Sequence, residues 1–164
     1  MNRLRLVTLV LALCAAAIPA LAIEVPLTYM RYSDMADSDS FRPWGGSPLD
    51  PAKTPPTGEC KLPAFNASTP LYVIEPLGDE QRLFVFDKIS NSDACHNRMY
   101  FDSNGDGNLN DETAIDGVVQ PQDQVTFVIF PAVDTSIRVG ECKLPFSFRV
   151  TAYLVSGEDV PYFN

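Results

Sequence analysis

Downstream of Leu71 the apolar residues of this chain fall into short runs with a period of two, and nowhere into the roughly 3.6-residue period of a packed helix. The runs are rich in β-branched and aromatic side chains: residues 71–75 (LYVIE), 82–88 (RLFVFDK), 98–101 (RMYF), 125–130 (VTFVIF), 136–139 (SIRV) and 146–155 (FSFRVTAYLV). In the last run Phe146, Phe148, Val150, Ala152 and Leu154 alternate with Ser147, Arg149, Thr151 and Tyr153. That is the pattern of one half-buried strand. The expectation is a mainly β fold, a sandwich or an open barrel-like antiparallel sheet of about six to eight strands.

The chain ahead of these runs has two different characters. Asn2, Arg3 and Arg5 precede an apolar stretch over residues 6–17, and Ala20-Leu21-Ala22 supplies small residues for cleavage. Residues 1–22 therefore read as a secretory signal peptide, with the mature chain starting near Ile23. The apolar stretch meets Pro19 and then polar sequence, too short for a membrane span, so the mature chain is expected to have none. Cys14 raises the alternative of a lipid attachment site, which the bulky Leu13 before it disfavours. Residues 23–58 carry Pro43, Gly45, Gly46, Pro48, Pro51, Pro55 and Pro56, a density that no helix or central strand tolerates. They are expected to form an irregular, proline-rich N-terminal arm, pinned by Phe41 and Trp44 or else mobile. Residues 59–164 remain as the β domain, and the location expected is secreted, periplasmic or cell-surface.

Between the third and fourth runs lies Asp102 to Glu112, DSNGDGNLNDE. Asp102, Asn104 and Asp106 place a side-chain oxygen at positions one, three and five, and Gly107 at six permits a sharp turn. Asn108 offers its carbonyl at seven, and Leu109 at eight should turn into the core. A hard cation that takes six to eight oxygens in a flexible shell suits this spacing, so the expected ligand is Ca²⁺. Magnesium suits it less, because it prefers one or two carboxylates and a shell of water. Position twelve, where a bidentate glutamate would close the site, is Thr113, so the closing acid must be Asp111 or Glu112. Paired turns at Asn104-Gly105 and Asp106-Gly107 are the plainer alternative, though a turn needs one such pair and not a spaced series.

The loop 102–113 resembles the EF-hand-like loops of dockerin modules and of other exported bacterial proteins, in which Asp-x-Asn-x-Asp-Gly appears without one or both helices. The resemblance covers about a dozen residues and implies cation ligation only. The wider order of strand, YFDSNGDGNLNDE and AIDG is similar to uncharacterised exported bacterial β-proteins, and implies no activity. Because a strand and no amphipathic helix enters the loop, a sensor-type opening is not expected.

One hexapeptide occurs twice: Gly58-Glu59-Cys60-Lys61-Leu62-Pro63 returns as Gly140-Glu141-Cys142-Lys143-Leu144-Pro145. Each copy leads through an aliphatic strand to an acidic turn, so a duplicated unit is expected, with a second, truncated repeat from residue 140. The alternative is a turn sequence used twice. On the duplication reading the chain stops inside a sheet, leaving Val160-Pro161-Tyr162-Phe163 frayed at an edge. Of the three cysteines beyond the leader, Cys60 and Cys142 would form the disulfide and Cys95 would stay free.

Charge narrows the partners. With 21 acidic residues against 12 basic, a net charge of −9, nucleic acid is not expected. The single His96 lies beside Cys95 without further zinc ligands or a nucleophile elbow, so no enzyme is expected and a hydrolase ranks lowest. A structural or extracellular-interaction domain ordered by calcium requires least. The alternative is a carbohydrate- or protein-binding accessory module, meeting an extracellular polysaccharide or a cell-surface protein through Trp44, Tyr72, Tyr100, Tyr153 or Tyr162.

Overall fold

The computed structural model describes residues 49–158 and 160–163. The leader, most of the proline-rich arm, Phe41 and Trp44 lie outside the described residues. Among the described residues ten strands run in chain order: β1 (Leu71–Leu77), β2 (Glu80–Asp87), β3 (Arg98–Phe101), β4 (Ile115–Asp116), β5 (Val118–Gln122), β6 (Val125–Ile129), β7 (Val133–Val139), β8 (Cys142–Phe148), β9 (Thr151–Val155) and β10 (Tyr162–Phe163). They form antiparallel sheets in the orders β1-β2-β3-β4 and β10-β9-β6-β5, with β7 and β8 as a separate hairpin. The fold is mainly β and sandwich-like, and the described residues form no closed barrel. No helix among the described residues is long and apolar enough to cross a membrane.

The two four-stranded sheets meet through one apolar layer. Leu71, Val73, Phe84, Phe86, Met99 and Phe101 from the first sheet pack with Val128, Phe130, Val150, Ala152 and Phe163 from the second side. Ring pairs organise this layer: Phe86 stacks on Phe163 at 3.9 Å between centroids, and Phe148 meets Phe101 edge-on at 5.0 Å. The first sheet also buries its other face. Tyr72, Leu83, Val85 and Tyr100 gather there with Leu109, beneath Cys60, Leu62 and Phe65. Burial on both faces explains why β2 is buried without interruption from Arg82 to Asp87.

Single bridges close the sides. Ala52 exchanges two 2.8 Å hydrogen bonds with Tyr72 on β1, and Leu49 donates to the Phe163 carbonyl at 3.1 Å. The described end of the arm is thus tied to one edge of each sheet. On the other side Asp79 donates to the Arg138 carbonyl at 2.8 Å, joining the β1–β2 turn to the β7–β8 hairpin.

Several expectations need correction. Residues 146–155 are not one strand. They divide into β8, which pairs with β7, and β9, which pairs with β6. The alternation runs on through the division, since Val150 and Ala152 are both buried, so periodicity does not register the change of partner. Two strands had no signal of their own: β4 has two residues, and β5 is an exposed edge strand containing Pro121. Cys60, Cys95 and Cys142 are all free, so the expected disulfide is absent. Finally, Phe163 is not frayed; it is 1% exposed and stacked in the main core.

Candidate metal centre

The loop begins where β3 ends. The main-chain N–H of Asp102 donates to the Leu83 carbonyl at 2.9 Å, which fixes the first residue of the loop to the sheet. Its carboxylate is buried and collects two amides: Gly105 N–H to Oδ1 at 2.7 Å and Gly107 N–H to Oδ2 at 3.1 Å. Three side chains then repeat one device. Asn104 accepts from the N–H of Asp106 at 3.0 Å, Asp106 from Asn108 at 2.8 Å, and Asn108 from Asn110 at 3.3 Å. Each is a side chain bonded to the backbone two residues on, the local preference of Asx residues.

These bonds hold the oxygens in place without exhausting them. An ionised carboxylate has about four lone-pair sites and an amide oxygen two, and each oxygen here accepts a single amide. Gly105 and Gly107 have φ of +76° and +73°, the left-handed region in which a side chain is strained. At Gly105 a Cβ would also come within 2.4 Å of Arg82 Nη1. Glycine is needed twice, once for the turn and once for the neighbour.

The far end of the loop is anchored separately. Leu109 is 0% exposed, as the spacing predicts. Lys61 donates to the Gly107 carbonyl at 2.9 Å and accepts from the Leu109 N–H at 2.8 Å. This short parallel bridge uses Gly107 and Leu109 and leaves the Asn108 carbonyl out of it. The exit carries no helix: residues 110–114 are turn and coil, followed by β4. Of the two candidate closing acids, Asp111 is exposed, whereas Glu112 reaches back across the loop. Its Oε1 accepts from both the N–H and the hydroxyl of Ser103, each at 2.8 Å.

Among the described residues no three His, Cys, Asp or Glu side chains gather as a metal-holding group. A cation in this loop would therefore draw on the Asn104 amide and on main-chain carbonyl oxygen as well as on Asp102 and Asp106.

The sequence reading took Arg82 only as the start of a strand and residues 58–63 only as one copy of a repeat, and placed neither at the loop. Arg82 is 4% exposed, pairs with Glu80 through Nη2 at 2.6 Å, and lies against Gly105. Its signal was available: a period of two puts Arg82 on the same strand face as Phe84 and Phe86. Segment 60–65 gave no such signal. The two copies of the hexapeptide stand in different settings, the first bridging to the loop at Lys61 and the second forming the tip of the β7–β8 hairpin.

The remaining candidates separate clearly. Tyr72 and Tyr100 are core residues, while Tyr162 is 48% exposed and stacks on Tyr153 at 5.1 Å. His96 is buried with Nε2 at 2.9 Å from the Thr69 carbonyl, and burial pushes its pKa below the ordinary histidine value, against the smaller opposing effect of that bond. Burial also raises the pKa of the neighbouring Cys95 thiol, which makes it a poor nucleophile. Comparison with protein-family models, curated proteins and solved structures finds no match to this chain.

Proposed function

We propose that the chain is an exported calcium-binding β-domain in which Ca²⁺ orders residues 102–112. The ligands are Asp102, Asn104, Asp106, the Asn108 carbonyl and one of Asp111 or Glu112, and the role is structural or in extracellular interaction. The observation that carries this reading is the loop's double anchorage. Asp102 is buried at one end and Leu109 at the other, while the oxygens between them are positioned by their own backbone amides. A loop fixed at both ends pays little ordering entropy when it takes up a cation. It also has no helix to swing, so calcium stabilises the fold without exposing a groove.

Binding only to the folded state stabilises it by about 2.7 kcal/mol when free calcium is a hundredfold above the dissociation constant. Thermal unfolding with and without chelator tests this. The melting temperature should rise with calcium, with little change in hydrophobic-dye binding. An unchanged melting temperature at millimolar calcium would remove the proposal, and strong calcium-induced dye binding would indicate a sensor.

A second reading, a carbohydrate-binding accessory module, is favoured by the exposed Tyr162 ring stacked on Tyr153. Sugar faces pack on such rings. Titration with polysaccharides, wild type against Tyr162→Ala, separates it from a purely structural role.

A further inference from the structure

A pocket of about 130 Å³ lies beside the loop, lined by Glu80, Arg82, Ser103, Asn104, Ser136, Ile137, Arg138 and Lys143. Three cations face one carboxylate in it, on a chain whose net charge is −9. Positive excess at one spot on so acidic a protein is not a by-product of composition. Glu80 is shared, its Oε2 at 2.6 Å from Arg82 Nη2 and its Oε1 at 3.1 Å from Arg138 Nε. Lys143 stands exposed at the β7–β8 hairpin.

A second observation points to a ligand. The Arg82 side chain is 5% exposed, and its Nη1 is buried with no hydrogen-bond partner. A buried donor on a permanent charge is costly to leave unmade, because it has given up water and gained nothing. Glu80 satisfies the other arm of the guanidinium only. The Ser136 hydroxyl and the Asn104 amide add neutral polar groups around the same space, whereas the Ser103 hydroxyl is already donated to Glu112.

The geometry points to an oxyanion-binding site in this pocket, taking a carboxylate or sulfate group between Arg82, Arg138 and Lys143. The planar guanidinium fork matches such oxygens, and Lys143 supplies a mobile point charge at the mouth. The pocket shares Ser103 and Asn104 with the loop, but its three cations are no part of the calcium ligand set, and it is distinct from the Tyr153–Tyr162 surface. The anion could be free or carried on an acidic sugar.

Calorimetric titration of the purified protein, in calcium and again after calcium is removed by chelator and chelator by gel filtration, tests the site with sodium sulfate and with sodium glucuronate. All runs are made in a buffer without other oxyanions. Sulfate should bind, and Arg138→Gln/Lys143→Gln should weaken it about tenfold or more, the loss expected for one charge-assisted hydrogen bond. Arg138 and Lys143 are exposed, so this variant keeps the fold, which circular dichroism verifies. Tighter binding of glucuronate than sulfate identifies a sugar-borne anion; equal or weaker binding identifies the free anion. No binding of either probe, or binding unchanged in the double variant, overturns the site.

Discussion

The two faces of the first sheet are both buried, yet they are built differently. One meets the second sheet through stacked phenylalanines, among them Phe84, Phe86 and Phe163. The other is covered by irregular chain: residues 60–65 and the loop, which contributes a single fully buried side chain, Leu109. The first face is held by apolar area and ring packing. The second is held by area and by the anchorage of the loop, so the proposed calcium site and the minor core share Leu109.

Truncation on each face tests that difference most strongly. Phe86→Ala should cost about 3–5 kcal/mol, and Leu109→Ala about 2–5 kcal/mol. The contrast lies in the coupling. Leu109→Ala should also weaken calcium, whereas Phe86→Ala should leave its affinity nearly unchanged. Denaturant unfolding in calcium and in chelator measures both, and equal calcium dependence in the two variants would break the comparison.

Gly105→Ala should have the next largest effect, about 1–3 kcal/mol, because it forces a side chain into a left-handed φ. It also pushes against Arg82 Nη1. Weakened calcium binding should accompany the loss, since the turn carries Asn104 and Asp106. An Ala variant with wild-type stability and affinity would show that the loop relaxes freely.

The β elements were legible where burial alternated or was continuous. β3 was read to the residue, and Leu109 was placed in the core by its position in the loop spacing. What escaped were features fixed by partners distant in sequence. Nothing local marks Arg149-Val150 as the point where the chain changes sheets, because both β8 and β9 alternate in phase. The burial of Phe163 depends on Phe86, and the cover over Leu109 depends on Lys61, neither of which is near in the chain. The disulfide expectation failed for the same reason. Identical hexapeptides do not ensure equivalent places, and Cys60 borders the minor core while Cys142 sits on an exposed hairpin.

A smaller effect is expected from pH. Burial lowers the pKa of His96, so its folded-state value lies below its unfolded value of about 6.5. Its neutral form is the stable one when folded. The contribution is therefore complete above that pH and declines as pH falls through the folded value. His96→Gln, which keeps a donor for the Thr69 carbonyl, should flatten this part of the stability profile. An identical slope in the variant would assign the pH dependence elsewhere. The smallest effect belongs to the open surface: Tyr162→Ala should change stability by no more than about 0.5 kcal/mol.

Calorimetric titration with calcium, comparing wild type with Asp102→Asn/Asp106→Asn, bears most directly on the central claim. At position 106 the amide keeps the oxygen that accepts from the Asn108 N–H; at position 102 it keeps one of the two acceptors used by Gly105 and Gly107, so circular dichroism verifies the fold while two negative charges are removed. The account predicts one dominant site in the wild type and its loss in the variant. Absence of a wild-type site, or the same isotherm in both proteins, would contradict it.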